Sequence, residues 1–258
     1  MLLIITSGFG LIIPAAFHAA VSATPNLMKG LTDEELAGKV LGLSRITAIL
    51  LIVSYCIYVW FQMRTHESIY DSIFAADENR DKDRHKDLAK AKLTFTECIL
   101  ALVISITLVT IIAINLVGQI HYIVEERHIS DSFVGLILVP LVEKFAEHLT
   151  AIDEAWDNQM NMALAHVLGA TIQTALFNGP LVVIVGWGLQ KPMDFNFSIF
   201  NVVVLILAIL VVGNFLRDQK SNYLEGSLCV IIYVNIAVAA FYYPDPKAGH
   251  VGASPVKI

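Results

Sequence analysis

Seven apolar stretches, near residues 2–22, 43–63, 95–124, 132–152, 162–188, 196–216 and 224–243, recur along the chain with mostly short polar segments between them. Crossing the ~30 Å hydrocarbon core of a bilayer at about 1.5 Å per residue takes roughly 20 apolar residues, so each stretch is long enough to span. A composition of 56% hydrophobic and 16% charged residues is too apolar for a soluble domain. In hydrocarbon the backbone must be satisfied within a helix or around a closed barrel, and these runs lack the alternation of barrel strands. The expected fold is all-α, a polytopic membrane protein of about seven transmembrane helices.

The same pattern divides the chain into two helices over 1–63, a charged loop over 64–94, five further helices over 95–243 and a polar tail over 244–258. Residues 2–22 read as a helix broken or bent at Pro14. The small residues Ala19, Ala20, Ser22 and Ala23 also admit a secretory signal, against which stands the lack of any basic residue before Lys29. Lys and Arg are more numerous on the side of the 64–94 loop, which carries Arg64, Arg80, Lys82, Arg84, Lys86, Lys90 and Lys92. That bias places this loop and the N-terminus in the cytosol. The loop mixes both signs of charge and reads as solvated and partly helical. The net charge of −6 and the absence of a basic stripe argue against a nucleic-acid partner. Cys56, Cys98 and Cys229 lie in apolar stretches without zinc or redox spacing and read as packing residues.

Within the fourth stretch, Glu143, Lys144, Glu147 and His148 follow Pro140. A charge at bilayer depth costs several kcal/mol, about 2.5–3.5 by insertion scales, so such residues line ion or proton routes more often than they merely fasten helices. Glu143 and Glu147 are spaced i, i+4 on one helix expected from about 131 to 157, with Ser130 or Asp131 as its cap. Lys144 and His148 repeat that spacing about 100° away. A salt-bridge cluster pinning two helices is the competing reading. Asp153, Glu154 and Asp157 form either a solvated rim or an electrostatic funnel for cations. The fifth stretch adds His166 and Gln173, which share a face at i, i+7, the small Gly169 and Ala170, and Asn178-Gly179-Pro180, which suggests a break of the kind that lines transport sites. His148, His166 and Glu147 could also ligate zinc in an intramembrane metal hydrolase, although they form no recognised zinc spacing.

Ala146-Glu147-His148 followed by Gly169-Ala170-Thr171-Ile172-Gln173-Thr174-Ala175 resembles the second repeat motif of the vacuolar calcium/proton exchangers, within the calcium/cation antiporter superfamily. Leu43-Ser44-Arg45-Ile46-Thr47-Ala48 through Phe61-Gln62-Met63-Arg64-Thr65-His66 is similar to that family's sixth helix and the start of its acidic cytosolic loop. Lys220-Ser221-Asn222-Tyr223-Leu224-Glu225-Gly226 is similar to the entry to its last helix. The resemblance implies the C-terminal half of an inverted-repeat fold and a secondary active transporter, not an enzyme. It further implies calcium leaving the cytosol in exchange for protons across a vacuolar or other internal membrane. Glu147 and Gln173 would ligate the cation, with Gly169 and Thr171 as supporting oxygens and Glu143, Lys144 and His148 around them. No cofactor is expected beyond the transported cation and protons, and the lipid bilayer is the expected surrounding partner.

The chain departs from the family in two places. Glu143-Lys144 stands where the family has Gly-Asn, so an ammonium replaces an amide. Either it occupies the place of a diffusible cation, or Glu143 neutralises it and leaves Glu147 free. The family's first repeat, with its own glutamate, falls outside this sequence. That implies a shortened product, or a second chain supplying the missing repeat. A non-transporting half-exchanger acting as a structural or regulatory subunit is the corresponding alternative.

Overall fold

The computed structural model describes residues 2–24, 30–89, 91–127, 129–217 and 222–244. Lys29, Lys90, Lys220, Ser221 and the tail beyond Pro244, which entered the sequence reading, lie outside the described residues. Every regular element among those described is helical. The chain divides into two compact units, one formed by Met1–Arg84 with Ala146–Gly226 and the other by His85–Phe145 with Ser227–Ile258.

Among the described residues six helices are long and apolar enough to cross a membrane: Leu2–Ser22, Asp33–Thr65, Phe95–Val124, Met160–Gly188, Ile199–Arg217 and Tyr223–Tyr242. The fourth expected span is the exception. Instead of one helix over 132–152, the chain runs through α6 (Asp131–Phe133), a π-turn (Val134–Leu138) and α7 (Val139–Glu143), breaks at Lys144, and resumes as α8 (Phe145–Trp156). Ser130 holds the N-cap position of α6 without a side-chain cap bond.

In the first unit, α1 (Leu2–Ser22) continues unbroken through Pro14. The second helix starts ten residues before the expected position. Thr32 and Glu35 form a capping box at the start of α2 (Asp33–Trp60), with Thr32 Oγ1 accepting from the Glu35 amide at 3.2 Å and Glu35 Oε2 from the Thr32 amide at 2.9 Å. Those bonds satisfy donors that a helix start leaves open, and Asp33, Glu34 and Glu35 favour its positive end. After a π-turn (Phe61–Thr65), α3 (Glu67–Glu78) occupies the charged loop, and the short α4 (Arg84–Ala89) begins where this unit's first segment ends. The hairpin of α8 and α9 (Met160–Gln173) leads through a π-turn (Thr174–Asn178) into α10 (Gly179–Gly188), and α11 (Ile199–Arg217) follows.

α2 packs against both α1 and α10, and α1 also packs against α11. Ile4, Ala48, Leu51, Ile172, Leu176, Val183 and Phe195 form the core of this unit. Lipid is as apolar as leucine, so close packing rather than water exclusion holds such helices together. Gly10 shows the requirement, since a Cβ there would lie 2.7 Å from the Leu51 side chain. Tyr55 of α2 stacks obliquely on Phe177, 5.2 Å between centroids, fastening the π-turn Thr174–Asn178.

In the second unit, α5 (Phe95–Arg127) presents Ile99, Leu102, Ile106, Val109 and Ile112 outward, as a lipid-facing helix does. Phe133 of α6 meets Phe241 of α12 (Tyr223–Tyr242) edge-on at 5.4 Å.

Candidate cation site

Both helices that carry the expected site residues are interrupted, and the interruptions share a local cause. Pro140 and Pro180 lack the N–H that would bond four residues back, and each follows a π-turn by two positions. Val139 N–H bonds to the Val134 carbonyl and Gly179 N–H to the Thr174 carbonyl, the wider loop that takes up one extra residue ahead of each proline. Past Pro140 the first helix lasts one turn. Lys144 N–H reaches the Pro140 carbonyl at 2.9 Å, and the Lys144 backbone then leaves the helical region at φ −95°, ψ 9°.

Glu147 lies in the first turn of α8, where the positive end of the helix dipole favours a carboxylate. His148 follows it, exposed. Lys144 Nζ sits 3.3 Å from Glu143 Oε1.

The two arms of the α8–α9 hairpin are tied by Glu154 and His166, with Oε1 and Nδ1 3.5 Å apart. Glu147 is seven residues before Glu154, and Gln173 is seven residues after His166. Seven residues are close to two full turns, so each partner returns to the same face about 10.5 Å along its helix. Glu147 and Gln173 therefore each lie about two turns along their own helix from the Glu154–His166 contact, one on each arm of the hairpin. Gln173 is the last residue of α9 before the π-turn. Gly169, one turn earlier on that side, has open space where a Cβ would be. Thr171 lies about 200° around from Gln173. It lines a cavity of about 300 Å³ among α1, α9 and α11, and its hydroxyl donates to the Val167 carbonyl at 2.9 Å.

His148, His166 and Glu147 do not converge on one point. Among the described residues, the His, Cys, Asp and Glu side chains close enough in threes to share an ion are Asp81, Asp83 and Asp157, all partly exposed.

Sequence reasoning missed how the charged loop holds this hairpin. Asp77, 1% exposed on α3, accepts three hydrogen bonds from the start of α9. Its Oδ2 takes the Asn161 and Met162 amides at 2.8 and 3.0 Å, and its Oδ1 takes Asn161 Nδ2 at 2.8 Å. Gln159, at the N-cap, makes no side-chain cap bond, so Asp77 caps α9 from another helix. Lys82 does the converse at the end of α8, donating to the Trp156 carbonyl at 2.5 Å with its ammonium 5.7 Å from the Trp156 ring centroid. An anion at one helix's N-terminus and a cation at the other's C-terminus both complement the helix dipoles. The Asp77 in an otherwise polar run was the one sequence signal, and nothing in the spacing pointed it at residues 161 and 162.

Residues 98–242 match the family described as sodium/calcium exchanger protein. The chain is 32% identical over 235 residues to the vacuolar calcium ion transporter of Schizosaccharomyces pombe, covering 91% of this chain and 53% of that protein. It is 35% identical over 239 residues to the Ca(2+)/H(+) antiporter of Aphanothece halophytica, covering 90% of this chain and 62% of that protein. The solved structure of native YfkE superposes with a TM-score of 0.69 at 26% identity, covering 94% of this chain and 62% of that one. The chain thus spans between about half and three-fifths of the length of these relatives.

Proposed function

Because the chain belongs to the sodium/calcium exchanger protein family, we propose that it works as part of a cation/proton antiporter in an internal membrane, moving calcium out of the cytosol in exchange for protons. The observation that carries this reading is the placement of Glu147 and Gln173 on the two arms of the α8–α9 hairpin, each beside a helix interruption. Interrupted helices free backbone carbonyls, and these are tolerated in a membrane where they line a cavity or are buried in protein.

Glu147 is the exchanging group. Its carboxylate either holds a proton or ligates a cation, and filling it from one side releases what arrived from the other. Gln173 supplies an amide oxygen and Gly169 the nearby backbone. Calcium takes six to eight oxygens at about 2.3–2.6 Å, more than these residues offer. The remaining ligands come from a further repeat, in a longer form of this chain or in a second chain.

The test is calcium uptake into vesicles driven by an imposed pH gradient. Uptake by the wild type that disappears in Glu147→Gln is expected, because the amide can neither release a proton nor carry charge. Equal uptake by both proteins refutes the assignment.

A further inference from the structure

Where α2 begins its apolar run and α10 ends, a polar pocket of about 380 Å³ is lined by Arg45 on one side and by Trp187, Gln190 and Lys191 on the other. No carboxylate lines it among the described residues. The Arg45 guanidinium lies over the Trp187 ring, 5.1 Å from the centroid, and its Nε is buried with no hydrogen-bond partner. Neither Arg45 nor Lys191 is ion-paired among the described residues. Two positive side chains therefore share one recess without a counter-charge, and a guanidinium donor there is unsatisfied. A buried polar group in that condition costs free energy that an anion would recover.

The walls are fixed before anything binds. The Lys191 amide donates to the Gly186 carbonyl at 2.8 Å, and Gln190 holds a left-handed backbone with φ 57°. The Phe195 amide donates to the hydroxyl of Ser44, which is fully buried beside Arg45, at 3.0 Å. The linker after α10 is thus pinned to α2.

The position is that of a membrane boundary. Trp187 is half exposed at the end of an apolar helix, where tryptophan meets the headgroup layer. From Arg45, the exposed side chains Ile46, Leu50, Val53 and Ile57 run down one face of α2. They cover about 16 Å of helix, comparable to the depth of one leaflet's acyl chains. A phosphate-sized anion at the top of an apolar stripe has the layout of a phospholipid.

We propose that this pocket seats the phosphate of an anionic phospholipid between the Arg45 guanidinium and the Lys191 ammonium, with an acyl chain along the α2 stripe. A guanidinium and an ammonium hold phosphate oxygens through charge-assisted hydrogen bonds of this kind. The site is separate from Glu147 and Gln173, so it stands whether or not the chain transports ions.

The experiment is native mass spectrometry of the purified protein titrated with phosphatidylglycerol, with phosphatidylcholine, or with inorganic phosphate alone. The wild type is expected to retain one phosphatidylglycerol with at least tenfold preference over phosphatidylcholine. Arg45→Gln with Lys191→Gln should abolish that preference, and Lys39→Gln, a control elsewhere on α2, should leave it intact. Arg45→Lys keeps the charge but not the planar fork, and it should weaken the preference at least threefold with unchanged thermal melting, which separates recognition from folding. Equal retention of the two lipids by the wild type, or an undiminished preference in the double variant, overturns the proposal. Inorganic phosphate that binds alone and displaces phosphatidylglycerol at low millimolar concentration overturns the lipid assignment in favour of free phosphate.

Discussion

Replacing Asp77 by alanine removes three hydrogen bonds at once and leaves the Asn161 and Met162 amides at the start of α9 without their cap. A capping side chain is worth ~0.5–2 kcal/mol and a further side-chain hydrogen bond about 1 kcal/mol. Asp77 is 1% exposed, so solvent screens these bonds little, but burying its charge offsets part of the gain. A net loss of about 2 kcal/mol is expected, close to a 30-fold rise in the population of the opened helix start at 1.4 kcal/mol per tenfold. Amide hydrogen exchange over residues 159–165, followed by mass spectrometry on the purified protein, reads that population directly. Exchange there should quicken about 30-fold, while amides around Val183 in α10 keep their wild-type rates.

The asparagine variant separates hydrogen bonding from charge. Asparagine caps helices about as well as aspartate, and with the Asn161 amide turned over Asp77→Asn can restore all three bonds. It should return exchange to within a few-fold of the wild type. Since α9 carries Gly169 and Gln173, the alanine variant should also need more cation for half-maximal uptake, with asparagine again restoring it. Unchanged exchange over 159–165 in Asp77→Ala would refute the reasoning, because the loop helix would then not be holding α9.

Two other substitutions probe separate parts of the structure. Lys144→Asn frees Glu143 of its partner and adds one unit of negative charge near Glu147, so half-maximal calcium uptake should shift to lower concentration; a shift to higher concentration would show that the ammonium assists the site. Gly10→Leu drives a side chain into Leu51 across the α1–α2 contact and should lower thermal stability in detergent by about 1–3 kcal/mol, whereas an unchanged melting temperature would mean the two helices separate without cost.

The spans were legible because their signal is additive: twenty apolar residues register as a membrane helix whatever their neighbours do. The segment over 132–152 shows where that logic stops. It is apolar enough to read as a span despite its charged residues, yet it is not one helix, because Pro140 alters backbone bonding four residues upstream and the chain answers with a π-turn and a break at Lys144. A window average cannot register one missing N–H. The second site helix has the same grammar, and there Asn178-Gly179-Pro180 did announce it, since glycine and amide flank the proline, whereas Pro140 stands among Leu138, Val139, Leu141 and Val142. Asp77 was illegible for a different reason. Its neighbours Glu78, Asp81 and Asp83 have the same chemistry, and what sets it apart is burial against a helix start 84 residues away. Local composition carries helix existence, then, and long-range hydrogen bonds carry helix placement. In this chain placement brings the α8–α9 hairpin under the control of the charged loop. A substitution in that loop should therefore act on cation handling through α9 even though it lies outside every apolar stretch, a dependence the hydrophobic pattern alone would never suggest.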